Sequence, residues 1–315
     1  MKVVFFAIVK LLLIIGIGFY FHKRKILKEE SLNFLNFFVV NLTMPFLIFS
    51  QIIKSFIPSS QPSFGVFIIL SFLIFLVGLI LGGSSSVFIP QNVRREFISL
   101  VSFQNCGYLP MNIAMFLFSS PLRERFLVYI FLYVLGFNIL IWSVGSFFIF
   151  KKKKEDFKIS SLFTPPIISV ILAVICVYCN GKRFIPEVVL SPMRMLGNTS
   201  FPLSMIILGA WLSKSRLRCV YEEIFPILGV IVLKLIVMPL LAFMFVWKYK
   251  VYSLLGLFIL LEFSMPSAVS LPIVVNLKKA NSEFTSRGVF FTHFFSIFTL
   301  PLWLHLFLKI SGFSF

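Results

Sequence analysis

Ten apolar stretches of about 20 residues recur along the whole chain, and they constrain the fold more than any other feature. They cover residues 3–21, 31–51, 64–83, 97–118, 126–150, 161–179, 188–213, 224–247, 252–277 and 288–310, and we number them spans 1 to 10. A stretch of this length crosses the hydrocarbon core of a bilayer as a helix. Only 13% of the residues are charged, against about 25% in a typical soluble domain. The sequence therefore predicts an all-α polytopic membrane protein with ten transmembrane helices.

The connections between the spans are short, and the longest polar one lies at the midpoint of the chain. Residues 151–160 begin with four lysines and contain a fifth at position 158. We predict a first five-helix repeat in residues 1–150, a basic cytoplasmic linker in residues 151–160 and a second repeat in residues 161–315. The high net charge of +18 does not indicate nucleic acid, because the basic residues fall in loops between spans, where they set membrane orientation.

The distribution of lysine and arginine predicts how the chain is oriented. The loops after the odd-numbered spans carry 17 of these residues, whereas the other loops and the two termini carry 9. Basic loops face the cytoplasm, so the protein is expected in the cytoplasmic (inner) membrane with both termini outside. An odd number of helices in each half turns the second half upside down, which predicts an inverted repeat.

One short motif occurs once in each half. Residues 41–46 and 198–203 both read Asn, any residue, Thr or Ser, a large apolar residue, Pro and a large apolar residue, at an offset of 157 positions. Proline removes a backbone donor and frees a carbonyl one turn earlier. A polar, proline-containing motif duplicated at half-chain spacing is typical of transporters with interrupted helices near the bilayer centre.

Spans 4 and 9 carry still stronger helix-breaking patterns. Span 4 contains Gln104, Asn105 and Pro110, and span 9 contains Ser264, Pro266 and Ser267 in its second half. Clustered proline, glycine, amide and hydroxyl residues indicate unwound helices, whose half-helix N-termini offer amides to an anion. These two segments are the predicted substrate site.

Two charged residues lie well inside the spans, Lys234 in span 8 and Glu262 in span 9. Such residues are costly in lipid and usually face a cavity or each other. They are candidates for an ion pair and for ion coupling. The three histidines and four cysteines are scattered or lack a second pair at ligand spacing, so no metal site, catalytic residue or bound cofactor is predicted.

These motifs resemble the auxin efflux carrier family of membrane transporters, which includes plant PIN-type carriers and bacterial organic-acid permeases. The resemblance covers nearly the whole chain, in order. The matching segments are residues 41–50, 102–110, 137–145, 165–168, 196–209, 265–268 and 295–301, together with Pro239.

The resemblance implies ten helices in two inverted five-helix repeats, with broken, crossing helices in spans 4 and 9. It implies a scaffold formed by spans 1, 2, 6 and 7 and a transport domain formed by spans 3–5 and 8–10. The substrate-binding Asn of the family falls on Asn105, and its crossing prolines fall on Pro110 and Pro266. Polar contacts of the scaffold fall near Asn41 and Thr43.

We therefore expect a secondary transporter that moves a small organic anion, a carboxylate, by alternating access. Its expected partners are this substrate and membrane lipids, with no nucleic acid, and a homodimer is left open. Coupling to protons or sodium is also open. One alternative is a sodium-coupled symporter of the bile-acid type, for which Gln104, Asn105, Glu262 and Ser264 supply oxygen atoms. A membrane-embedded lipid-modifying enzyme is a third hypothesis, although no catalytic pair stands at a suitable spacing.

Overall fold

The computed structural model describes residues 2–59, 61–141, 163–214, 221–277 and 280–312. Within these ranges the chain is helical throughout, apart from turns and one isolated antiparallel bridge between Gln104 and Ser267. The predicted linker, residues 151–160, lies outside the described residues, as does the end of span 5.

The first half contains seven α-helices in the described residues. They are α1 (Lys2–Lys23), α2 (Glu29–Phe38), α3 (Met44–Ser55), α4 (Phe64–Ser85), α5 (Arg94–Ser102), α6 (Tyr108–Leu117) and α7 (Leu122–Leu140). The second half contains eight, which are α8 (Pro165–Tyr178), α9 (Glu187–Asn198), α10 (Ser200–Lys214), α11 (Tyr221–Val232), α12 (Met238–Lys248), α13 (Leu254–Phe263), α14 (Leu271–Leu277) and α15 (Ser282–Ser311).

Five continuous helical stretches in the described residues are long and apolar enough to cross a membrane. They are Glu29–Ser55, Phe64–Phe88, Glu187–Lys214, Tyr221–Lys248 and Ser282–Ser311. Shorter apolar helices include α6, α8 and α13. Many large apolar side chains on these helices are exposed, among them Phe72, Leu228 and Phe298, which suits a surface that faces lipid acyl chains.

Proline distorts two of these long stretches without breaking them. A π-helical turn, Val39–Thr43, joins α2 to α3, and a second one, Leu233–Val237, joins α11 to α12. Each turn is followed by Met-Pro, and the proline cannot donate to the carbonyl four residues earlier. The hydrogen bonds shift by one residue, so that the amide of Met44 bonds to the carbonyl of Val39. The first Asn-x-Thr/Ser-x-Pro motif therefore changes the hydrogen-bond pattern of a span but leaves its helix continuous.

Spans 4 and 9 are interrupted, as predicted. Residues 103–107 separate α5 from α6, and residues 264–270 separate α13 from α14. The two unwound segments run antiparallel and pair through their backbones. The amide of Asn105 donates to the carbonyl of Pro266 at 2.8 Å, and the amide of Ala268 donates to the carbonyl of Phe103 at 3.0 Å. We call this arrangement the paired segments.

The core around the paired segments is rich in aromatic rings. Phe258 on α13 contacts the rings of Phe67, Phe126 and Tyr133 at centroid distances of 5.6 Å. Ring pairs at this separation are favourable beyond the apolar area they bury. This cluster packs α4 and α7 against α13, the helix that ends at the second unwound segment.

Helices of the two halves pack closely through glycines. The α1 helix lies against α10, and a Cβ atom built on Gly18 would fall 2.0 Å from the carbonyl oxygen of Ile206. Gly209 approaches the carbonyl oxygen of Ile15 in the same way, with a built Cβ at 1.9 Å. Small residues at a helix crossing allow this backbone approach in membrane proteins.

Candidate functional site

The paired segments bring together most of the polar residues predicted for the site. Gln104, Asn105, Ser264 and Ser267 are all buried. Their spacing in the sequence is large, yet the antiparallel bridge joins Gln104 directly to Ser267. Pro110 lies in the first turn of α6, where its missing amide costs no helix hydrogen bond.

Asn105 is held by two contacts. Besides the backbone bond to Pro266, its side-chain Nδ2 donates to Nε2 of His293 on α15 at 3.0 Å. Nδ1 of His293 lies 2.8 Å from the carbonyl of Val289 and therefore carries the ring proton. This leaves Nε2 as the acceptor, and Asn105 retains its amide oxygen and one N–H for another partner.

The hydroxyl groups of the site are largely engaged with the backbone. Ser267 Oγ donates to the carbonyl of Leu100 at 2.7 Å, and the backbone amide of Ser267 lies 3.3 Å from Thr292 Oγ1. Ser264 Oγ donates to the carbonyl of Leu260 at 2.7 Å. These two serines therefore stabilise the ends of α5 and α13.

Gln104 donates through Nε2 to the hydroxyl of Tyr133 on α7. Its Oε1 is buried and has no hydrogen-bond partner among the described residues. A buried amide oxygen without a partner is uncommon in native structures. Gln104 thus contributes an available acceptor within the paired segments.

The two scaffold-side residues predicted from the resemblance differ in their surroundings. Thr43 is fully buried and accepts a hydrogen bond from Ser200 Oγ at 2.7 Å. These two residues occupy the hydroxyl positions of the duplicated motif, so the motif makes contact with its own copy. Asn41 is exposed, and its Nδ2 donates to the carbonyl of Phe37 on its own helix at 2.8 Å.

Lys234 and Glu262 are both fully buried but form no direct ion pair. Lys234 Nζ instead donates to the carbonyl of Val101 at 2.8 Å. Neither carboxylate oxygen of Glu262 has a hydrogen-bond partner in the described part of the chain. The predicted ion pair is therefore replaced by a contact with the end of α5.

A polar cavity of about 260 Å³ lies between α2, α10, α15 and the second unwound segment. We call it the Lys214 cavity. Its lining includes Asn33, Asn36, Lys214, Val269 and Pro272. Lys214 forms an ion pair with Glu29, which also lines the cavity. Amides and an ammonium beside an interrupted helix form a surface that suits a carboxylate.

A second cavity, of about 250 Å³, lies between α1, α6, α10 and α15. We call it the His293 cavity. Its walls are aliphatic and aromatic, with Leu109 and Phe290 among them, and its polar lining residues are His293 and Ser296. Asn105 connects to this cavity through its bond to His293.

Sequence reasoning missed several residues that join the site to its surroundings. His293, Tyr133 and Lys214 were not predicted as site residues, although a histidine within span 10 was a visible signal. Tyr108 on α6 also lies 3.4 Å from Asn36 Oδ1 on α2. On the same face, Asn112 Nδ2 donates to Ser204 Oγ on α10 at 3.0 Å. These bonds link the broken span 4 to spans 2 and 7.

Comparisons with known proteins identify a family of membrane transporters. The chain matches the model of a family described as membrane transport protein over residues 3–161 and again over residues 155–304. It is 29% identical over 299 residues to an uncharacterized transporter of Methanocaldococcus jannaschii, covering 93% of this chain and 95% of the relative. A second uncharacterized transporter, from Methanothermobacter thermautotrophicus, is 23% identical over 308 residues, with 94% and 96% coverage. The chain therefore belongs to the membrane transport protein family of the auxin efflux carriers and is an integral membrane protein.

Proposed function

We propose that the protein is a secondary transporter that moves a small organic anion, a carboxylate, across the cytoplasmic membrane by alternating access. The observation that carries this proposal is the Lys214 cavity, which lies between the helices of spans 2 and 7 on one side and the second unwound segment on the other. A cavity at such a boundary changes its exposure when one group of helices moves against the other.

The chemistry of the Lys214 cavity favours an anion. Lys214 contributes a positive charge, and Asn33 and Asn36 contribute amide donors. A carboxylate that enters the cavity competes with Glu29 for the Lys214 ammonium. Replacing Glu29 by the substrate carboxylate costs little free energy, because this ion pair is exposed and surface ion pairs stabilise a protein by only about 0–1 kcal/mol.

Asn105 is proposed as the second contact for the substrate. It belongs to the first unwound segment, and its remaining N–H and amide oxygen are not used by His293. The first turn of α6 begins at Tyr108, so its leading amides have no partner within the helix. We place Gln104, Pro110, Pro266 and Thr43 in the supporting structure around this contact.

The proposal includes ten spans in two inverted five-helix repeats, and two features of the packing support it. The hydroxyl groups of Thr43 and Ser200, separated by the repeat offset of 157, bond to each other, as equivalent residues do beside a two-fold axis. The extensive packing of α1 against α10 is matched by that of α8 against α3. In each pair, the first span of one half packs against the second span of the other.

The alternatives are less well supported. Membership of a transport family favours a transporter over a lipid-modifying enzyme. A sodium-coupled mechanism needs several oxygen ligands, whereas a lysine ammonium already donates to the carbonyl of Val101 at the end of α5. The cytoplasmic membrane location, with both termini outside, is part of the proposal.

Transport is tested with purified protein in proteoliposomes. Uptake of labelled monocarboxylates, dicarboxylates and indole acids is measured with and without proton or sodium gradients. We expect saturable uptake of at least one carboxylate, reduced several-fold in Lys214→Gln and retained in Lys248→Gln, which removes an exposed lysine on another surface. Absence of flux under every condition, with folded protein, would refute the proposal.

A further inference from the structure

Two half-helices end at the paired segments with their C-termini, and a buried lysine lies beside them. The α5 helix ends at Ser102 and the α13 helix ends at Phe263. The C-terminal end of a helix carries partial negative charge from carbonyls that have no helical partner. Two such ends in a buried position attract a cation.

The unwinding of span 4 leaves two particular carbonyls without their helical donors. In a continuous helix the carbonyls of Leu100 and Val101 would accept from the amides of residues 104 and 105. The amide of Asn105 bonds instead to Pro266. Ser267 Oγ takes the place of the donor to Leu100 at 2.7 Å, and Lys234 Nζ takes the place of the donor to Val101 at 2.8 Å.

Glu262 supplies a further negative group at the end of α13. It is fully buried, and both of its carboxylate oxygens lack a hydrogen-bond partner among the described residues. Lys234 and Glu262 are not in hydrogen-bond contact, because the ammonium donates to the carbonyl of Val101. Buried charges are found paired or bound to a cation, because an isolated one carries a large desolvation cost.

The other contacts of Lys234 do not explain its position. Besides Val101, its ammonium approaches only Met238 Sδ, at 3.8 Å, in the described residues. The π-helical turn Leu233–Val237 that carries Lys234 places it against α5 rather than toward lipid. The side chain therefore places an ammonium group at the freed carbonyl of Val101, at the C-terminal end of α5.

We infer that the Lys234 ammonium is a tethered cation that completes the paired segments in place of a bound monovalent ion. The protein then needs no sodium to hold the two half-helices together. Removal of the ammonium leaves the carbonyl oxygen of Val101 at the end of α5, and oxygen ligands of this kind suit a hard cation such as sodium or a small alkylammonium ion. The inference bears on the proposed function only in predicting transport that does not depend on sodium.

The test uses thermal unfolding of the purified full-length protein in detergent, which needs no substrate. Wild type and Lys234→Ala are compared in choline, sodium and ethylammonium chloride at equal ionic strength. We expect the same Tm for wild type in all three salts. For Lys234→Ala we expect a lower Tm in choline and a recovery of about 3–6 °C in sodium or ethylammonium.

A double variant separates a specific cation site from a general salt effect. Lys234→Ala combined with Glu262→Gln lacks the carboxylate and is expected to lose the response to sodium and ethylammonium. If Lys234→Ala does not accumulate, Lys234→Met, which keeps an aliphatic side chain, is compared with wild type in the same three salts. A sodium-dependent Tm in wild type would overturn the inference, and so would a variant whose Tm stays low in every salt. Failure of the uptake assay with these salt responses intact would count against the proposed substrate alone.

Discussion

The close crossing of α1 and α10 makes a sharp prediction about two glycines on the same helix. Gly18 faces α10, and a Cβ added there would lie 2.0 Å from the carbonyl oxygen of Ile206 and 2.8 Å from its Cα atom. Gly16, two residues earlier, has nothing within 4 Å of a built Cβ. Gly18→Ala and Gly16→Ala therefore introduce the same methyl group in opposite environments.

The magnitude follows from the distances. Carbon atoms in ordinary contact are about 3.5–4.0 Å apart, so the two helices must separate by roughly 1.5 Å at this point to accommodate the methyl group of Gly18→Ala. The obstructing atoms belong to the backbone of α10 and cannot rotate away. Overpacking of this kind destabilises a protein by about 1–3 kcal/mol. In contrast, Gly16→Ala gains helix propensity worth up to about 1 kcal/mol.

The assay is thermal or denaturant unfolding of both variants in the same detergent. We expect a lower unfolding midpoint for Gly18→Ala and an unchanged or higher midpoint for Gly16→Ala. Because α1 and α10 belong to different halves of the chain, the difference also reports on how the halves pack together. Equal midpoints for the two variants would refute this packing.

Two further predictions concern buried hydroxyl groups. In a double-mutant cycle measured by denaturant unfolding, Thr43→Val and Ser200→Ala should show a coupling energy of about 0.6 kcal/mol and at most about 1.7 kcal/mol. This is the range for hydrogen bonds between membrane helices. Strictly additive losses of stability would contradict the bond at 2.7 Å. Ser267→Ala removes the donor to the buried Leu100 carbonyl and should lower the free energy of unfolding by about 1 kcal/mol. The control Ser84→Ala removes an exposed hydroxyl bonded within its own helix and should leave the free energy of unfolding unchanged. Equal effects of the two serine variants would contradict a stabilising bond from Ser267 to Leu100.

Much of the fold follows from simple patterns in the sequence. The apolar runs predicted where helices lie, and the proline-rich and amide-rich stretches of spans 4 and 9 predicted where two of them break. The repeat offset of 157 residues also predicted equivalence between Thr43 and Ser200, which bond to each other. These features are local, or depend on a comparison of the chain with itself.

The partners of the site residues could not be read in the same way. Nothing in the sequence shows that Asn105 meets His293, because the two are 188 positions apart and no pattern links them. Lys234 and Glu262 were candidates for an ion pair, but the ammonium donates instead to the carbonyl of Val101 near the end of α5. Which partner the ammonium takes is decided by the geometry of the broken helix and not by residue type.

The central claim is that the protein transports a carboxylate that contacts the paired segments beside the Lys214 cavity, and Asn105 tests it most directly. Carboxylate uptake into proteoliposomes is compared for wild type, Asn105→Ala and Asn138→Ala. Asn138 is a matched control, because its amide bonds to the carbonyl of Val134 on its own helix, whereas the amide of Asn105 bonds to His293, which lines a cavity. We predict that Asn105→Ala loses uptake at an unchanged protein level and that Asn138→Ala retains it. Full transport by Asn105→Ala would contradict the account.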